Sequence, residues 1–309
     1  WIGKVLNPLF LVFLAILILR ALLSPAGAIP AVDPSGAYQS GAFFTGLLEG
    51  YNTMDALAGL AFGIIVVQAV RRLGVGKPEE VAKNTVLAGI FSSLLMALIY
   101  VLVTVVGAQS RGIFPVAPNG GEALAQIAEH YFGGAGALIL AVTVTVACLK
   151  TAVGLITSCG ETFVKLFPGG PSYRIWAVGF CVLSFAIANL GLDAIIAWSF
   201  PVLMFLYPLA IALILLTLGG RFFANDPLVL RFTLGFTAAA ALFDFLGALP
   251  DGIRAFLHAD PVISIVQDWL PLASQGFGWI CPALLGLAIG LIARQIIQQK
   301  TRSSNFPLS

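Results

Sequence analysis

Three groups of polar residues interrupt otherwise apolar stretches of this 309-residue sequence, and each is a place where chemistry can be done. The first is Glu49, Gly50, Tyr51, Asn52, Thr53 and Asp55, set within LLEGYNTMDALAGLAFG. Across positions 49–55 the only aliphatic side chain is Met54. A glycine with hydroxyl, amide and carboxylate groups can re-satisfy backbone groups where a helix unwinds, which lipid cannot do. A discontinuous helix is therefore expected here. Its half-helix ends and free carbonyls would suit the charged groups of a zwitterion or a coupling cation, with Asp55 and Glu49 as the acidic candidates. The competing expectation is that the run only starts a helix at a membrane interface, with residues 43–48 belonging to the preceding loop.

The second group lies in VTVTVACLKTAVGLITSCGETF, where Thr143, Thr145, Thr151, Thr157 and Ser158 supply hydroxyls and Gly154 and Gly160 permit close helix approach. Lys150 sits too deep in this run for its stem to reach a membrane surface easily. It should face either a partner carboxylate, Asp55 first and Glu49 second, or a water-filled cavity. Glu161 lies nearer the end and reads as solvated. The third is Asp244, alone in its apolar segment, which either pairs locally or lines a cavity. Pro201 removes a helix hydrogen bond and is expected to kink its segment. Cys148, Cys159, Cys181 and Cys281 show no CxxC pair or zinc-ligand spacing and read as small core residues. His130 and His258 have neither metal nor triad spacing.

The elements that must carry these groups are set by composition. Apolar residues make up 59% of the chain and charged residues 10%, a balance that fits lipid as the main solvent. Eight segments approach the length of about 20 apolar residues that crosses a bilayer: 5–23, 43–70, 86–106, 137–166, 175–188, 192–218, 228–249 and 277–297. One set of alternating connections and ends holds twelve of the 16 basic residues, among them Lys4, Arg71, Arg72, Lys77 and Arg294. The other holds only Arg20, Arg111 and Arg254, and Lys150 lies within a span. Positive loops stay inside, so both ends of the sequence are expected to be cytoplasmic. The outer loops, 24–42, 107–136 and 250–275, are the long ones, and 121–132 reads as a surface helix capped by Asn119 with Glu122 in its first turn. A net charge of +2 with mixed signs leaves no basic patch for nucleic acid. A membrane-embedded enzyme would need a constellation inside the bilayer, and neither histidine lies in a span. A channel would show repeated pore-lining rings or short subunits.

At these segments the chain resembles the branched-chain amino acid:cation symporter family, bacterial carriers of leucine, isoleucine and valine. The resemblance rests on GLLEGYNTMDALAGLAFGIIVVQAVRRLGV at 46–75, ACLKTAVGLITSCGETF at 147–163 and ANLGLDAIIAWSFPVLMFLYPLAIALILL at 188–216, and it extends over 1–297. It implies an all-α membrane protein of the LeuT-like APC superfamily, with two inverted five-helix repeats followed by two further helices. In that frame segment 5–23 is the fifth helix. Residues 1–309 would be a single transporter domain lacking about four N-terminal helices and not transporting by itself, with 298–309 as a cytoplasmic tail.

The resemblance further implies that segment 43–70 is the sixth helix and that Gly50, Tyr51, Asn52, Thr53, Met54 and Asp55 contribute to substrate binding. Segment 137–166 becomes the eighth helix, which in sodium-coupled relatives offers a carbonyl and hydroxyls to the ion. The matching positions here are Ala147, Cys148, Leu149, Lys150 and Thr151. Thr151 fits, whereas Lys150 brings a charge that would repel sodium, so Lys150 either points away or its ammonium takes the ion's place. The implied activity is symport across the cytoplasmic membrane driven by a sodium or proton gradient, with no cofactor and no enzymatic step. A carrier of another small amino acid is the nearest alternative.

Overall fold

The computed structural model describes residues 2–29, 33–34 and 36–304, and side chains outside 2–7, 37, 64 and 300–304. Every extended element among them is helical: α1 (Ile2–Leu23), α2 (Ala42–Asn52), α3 (Asp55–Arg72), α4 (Pro78–Ser110), α5 (Gly120–Leu166), α6 (Tyr173–Ala188), α7 (Leu192–Leu218), α8 (Pro227–Ala248), α9 (Asp251–Phe256), α10 (Asp260–Trp269) and α11 (Ile280–Ser304). The helix starts are written locally. Pro78 opens α4 with Glu79 and Glu80 in its first turn, and Asp226 accepts the Leu228 amide ahead of Pro227 in α8.

All eight apolar segments are helical. Pro78–Ser110, Gly120–Leu166, Leu192–Leu218, Pro227–Ala248 and Ile280–Gln299 are long and apolar enough to cross a membrane, and the broken pair Ala42–Gly63 with Ile65–Arg72 makes a sixth if counted as one span. Pro8–Leu23 and Tyr173–Ala188 are apolar but shorter. The 16 residues of α6 reach only about 24 Å against a hydrocarbon core of about 30 Å. The most apolar stretch of α4 buries nothing, with Phe91 and Leu94 among its exposed residues. A surface of that kind is stable in lipid and not in water.

The chain divides into two compact units, Trp1–Pro34 with Ala61–Asn189, and Ser35–Leu60 with Leu190–Ser309, the boundary falling inside α3. In the first, Phe13, Leu14, Leu17, Ile18 and Ala21 of α1 pack with Val106 of α4 and Ile127, Ala128 and Leu140 of α5. The Tyr131 hydroxyl donates to the Ser24 carbonyl at 2.8 Å, tying the end of α1 to α5. The expected surface helix is present: Asn119 caps it, accepting the Glu122 amide at 3.0 Å, and Gly133 at φ 63° turns the chain into the long span that follows. Gly160 admits the ring of Tyr173 on α6, which a Cβ would meet at 2.8 Å.

In the second unit α8 packs on α7 and α11. Gly286 and Gly290, one turn apart on α11, bring it so close to α8 that added Cβ atoms would lie 2.7 Å from the Phe232 carbonyl oxygen and 2.8 Å from Cα of Val229. Small residues at such spacing let backbones approach where lipid provides no hydrophobic drive between helices. α7 runs unbroken through Pro201 and Pro208, both buried. The connection 250–275 contains α9 and α10.

The cysteines are not core residues. Cys148, Cys159 and Cys181 are exposed and Cys281 is half-buried; on a helix facing hydrocarbon a small apolar side chain costs nothing at the surface. Of the tail 298–309, residues 298–304 continue α11 and 305–309 lie outside the described residues.

Candidate functional site

The polar run of the second expected segment does break the helix. α2 ends at Asn52 and α3 begins at Asp55, with Thr53 and Met54 between them. Met54 adopts φ 58°, a left-handed conformation that an unbranched non-glycine residue takes only at some cost. The interface-start alternative fails, because residues 43–48 are helical and belong to α2.

Each residue of the break has a distinct place. The Thr53 hydroxyl donates to the Gly50 carbonyl at 2.8 Å, and the Met54 amide donates to the Tyr51 carbonyl at 3.0 Å. The Asn52 amide group donates to Glu49 at 3.0 Å, which occupies the carboxylate expected to serve a ligand. Met54 leaves its side chain 41% exposed, and Asp55 stands in the first turn of α3, where its charge favours the helix N-terminus. Tyr51 alone turns into the core and stacks on Tyr207 of α7, ring centroids 4.3 Å apart and planes within 6°. The Tyr207 hydroxyl faces the break, with the Thr53 side chain and the backbone of Met54 and Ala56 as neighbours. None of these contacts closes to a hydrogen bond.

Beside this stack lies a cavity of about 190 Å³. Leu48 of α2, Phe200 and Met204 of α7, and Ile263 and Val266 of α10 form apolar walls, and Asp244 of α8, Gln267 of α10 and Ser274 supply polar groups. Gly276, at φ 78°, lets the backbone pass against this wall: a Cβ there would meet Leu48 Cδ1 at 3.0 Å and Met204 Cε at 3.2 Å. Of the two expectations for Asp244, the cavity is the one realised. Composition pointed to Asp244 but not to Gln267 and Ser274, ordinary polar residues of the connection 250–275, Gln267 on α10 and Ser274 in the short turn after it.

The second candidate set, Ala147, Lys150 and Thr151, lines a separate cavity of about 420 Å³ in the first unit, walled by Phe10, Leu11, Phe62, Ile65 and Gly154. Lys150 faces this space and has no ion-pair partner within its own unit among the described residues. The expected pairing with Asp55 or Glu49 would join residues of different units. Most hydroxyls of α5 serve their own helix: those of Thr143, Thr145, Thr151 and Thr157 donate to carbonyls four residues back. Ser158 instead reaches across to the Ala61 carbonyl of α3 at 2.9 Å. Gly154 accommodates Phe62 of α3, whose Cε1 would lie 3.1 Å from an added Cβ.

Residues 1–297 match the family model described as branched-chain amino acid transport protein. The chain is 50% identical over 300 residues to the branched-chain amino acid permease BrnQ of Lactobacillus delbrueckii subsp. lactis, covering 97% of this chain and 66% of that protein. It is 39% identical over 301 residues to the permease of the same name from Bacillus subtilis, with 97% and 66% covered. A branched-chain amino acid transport system 2 carrier protein of Pseudomonas aeruginosa is 38% identical over 296 residues, with 96% and 65% covered. The chain thus spans just under two-thirds of the length of these relatives, whose names are those of permeases and carriers and not of enzymes. No solved structure matches it significantly.

Proposed function

The chain belongs to the branched-chain amino acid transport protein family, and on that premise we propose that it carries leucine, isoleucine or valine across the bacterial cytoplasmic membrane by alternating access in a LeuT-like inverted-repeat frame. The observation that carries this reading is the break at Thr53–Met54, inside an otherwise apolar helical stretch. Such a break turns one helix into two ends, a carbonyl end at Asn52–Thr53 and an amide end at Ala56–Leu57. In a membrane those ends are the cheapest available partners for an ammonium and a carboxylate. The substrate contacts assigned are Gly50, Tyr51, Asn52, Thr53, Met54 and Asp55. Met54, extruded by its left-handed backbone, offers an aliphatic surface to an aliphatic substrate.

Coupling is assigned to Ala147, Lys150 and Thr151. Their shared cavity and the lack of a carboxylate partner for Lys150 among the described residues of its unit support the reading in which the ammonium stands where relatives would hold sodium. Transport is then independent of sodium, with the proton gradient as the driving force. Both ends of the sequence are placed at the cytoplasmic face, on the bias of Lys and Arg among the connections.

Uptake of labelled leucine into liposomes holding the full-length protein tests both parts. Inward sodium and proton gradients are imposed separately on the wild type and on Lys150→Thr. The expected result is proton-driven, sodium-independent uptake by the wild type and sodium-dependent uptake by the variant. Wild-type uptake that requires sodium would overturn the role of Lys150, and absence of saturable uptake of all three aliphatic amino acids would overturn the carrier.

A further inference from the structure

We propose that the Asp244 cavity is a second binding site, distinct from the helix break, for an aliphatic amino acid whose ammonium group is held by the Asp244 carboxylate. The identity of the ligand rests on the carrier reading; the site rests on its own geometry.

Asp244 lies in an apolar span, with Oδ2 enclosed and without a hydrogen-bond partner. It forms no ion pair among the described residues. The Tyr51 hydroxyl in the same unit is likewise without a hydrogen bond. The nearby cation of the connection 250–275, Arg254, is committed elsewhere, to Asp251 at 2.9 Å, to Asp260 at 2.6 Å and to the Gly247 carbonyl at 3.4 Å. A carboxylate left in that state within hydrocarbon is costly, and a cation arriving in the cavity removes the cost.

The rest of the cavity says which cation. Gln267 and Ser274 line it together with Asp244, so an amide and a hydroxyl border the same space as the carboxylate, and both are groups that can accept from a primary ammonium. The remaining wall is apolar, from Leu48, Phe200 and Met204. A bare metal ion would leave that wall unused, and an anion with no cationic group of its own would be repelled by Asp244. A proton would neutralise the carboxylate and leave about 190 Å³ unfilled. An ammonium attached to a short branched hydrocarbon uses both halves of the cavity.

The test is equilibrium binding of labelled leucine and of labelled 3-methylbutylamine, which is leucine without its carboxylate, to the full-length protein in nanodiscs. 4-Methylpentanoate, leucine without its amine, serves as competitor. Asp244→Asn is expected to weaken amine binding about tenfold or more, the loss of a charge-assisted hydrogen bond, while displacement by 4-methylpentanoate stays as in the wild type. An Asp244→Asn protein that melts like the wild type and binds the amine equally well would overturn the site. So would unchanged amine affinity combined with loss of pH dependence, which would make Asp244 a proton carrier. If Asp244→Asn melts early, Gln267→Ala and Ser274→Ala are read in its place, and unchanged amine binding in both overturns the site. Amine binding that depends on Asp244 in a protein that does not bind leucine would uphold the site and sink the carrier reading; absence of both overturns the two together.

Discussion

Lys150 and Asp244 each stand in an apolar helix and each line a cavity, one in each unit, yet the protein keeps the two charges by different means. Lys150 has a long stem and about 420 Å³ of space bordered by the rings of Phe10 and Phe62, so its ammonium can find solvent. Asp244 has a short stem, about 190 Å³ and one oxygen fully enclosed. A flexible cation in a wide cavity is tolerable empty, whereas a short carboxylate in a narrow one is complete only with a partner. The two walls thus differ in how much room they leave, and perturbing them should have unequal consequences.

The largest effect is expected from Gly276→Val. The backbone at φ 78° is strained for a branched residue, and the new atoms would press on Leu48 and Met204. Conformational strain of about 1–3 kcal/mol adds to overpacking of about 1–3 kcal/mol. The melting temperature should fall clearly and amine binding at the Asp244 cavity should be lost, while the ion dependence of uptake, assigned above by proposal to the other cavity, should stay as in the wild type. Gly276→Ala should lie between the two. Thermal melting with binding of 3-methylbutylamine checks this, and a Gly276→Val protein indistinguishable from the wild type would show that the wall is loose.

The same contrast explains what could be read from the sequence. The break was legible because Glu49–Asp55 puts polar groups where lipid offers no partner, and the structure interrupts the helix there. Lys150 and Asp244 were legible as anomalies, since a lone charge in an apolar segment is conspicuous whatever its neighbours. Their surroundings were not. Tyr207, Gln267 and Ser274 are ordinary in their own segments and gain meaning only when helices far apart in sequence meet. Gly286 and Gly290 did leave a signal, the GLAIG spacing on α11, which has the pattern that lets helices touch. The span count differed because apolar composition marks a helix without fixing whether it is long enough to cross.

A smaller effect is expected at the rim of the Asp244 cavity. Arg254 ties α9 and α10 to the end of α8 through two carboxylates and a carbonyl, and α10 supplies Ile263, Val266 and Gln267 to the wall. Asp251 is 92% and Asp260 60% exposed, so each pair contributes only about 0.2–1 kcal/mol. Arg254→Gln should therefore weaken amine binding by about two- to fivefold and respond less to added salt than the wild type does. Unchanged affinity and salt response would mean that α10 is held by the packing of Ile263 alone.

The smallest effect is expected at Gly154, the counterpart of Gly276 in the Lys150 wall. Here the backbone is helical, so alanine brings no conformational strain, and it favours the helix by about 0.8–1 kcal/mol. Its Cβ would approach Cε1 of Phe62 at 3.1 Å and Cζ at 3.5 Å, the far edge of a ring that can swing into a cavity of about 420 Å³. The gain in propensity and the cost of moving the ring oppose each other, and Gly154→Ala should melt within a few degrees of the wild type, with the ion dependence of uptake unchanged. A large loss of stability would mean that the wall around Lys150 is as rigid as the one around Asp244, and the difference drawn between a wide tolerant cavity and a narrow demanding one would fall with it.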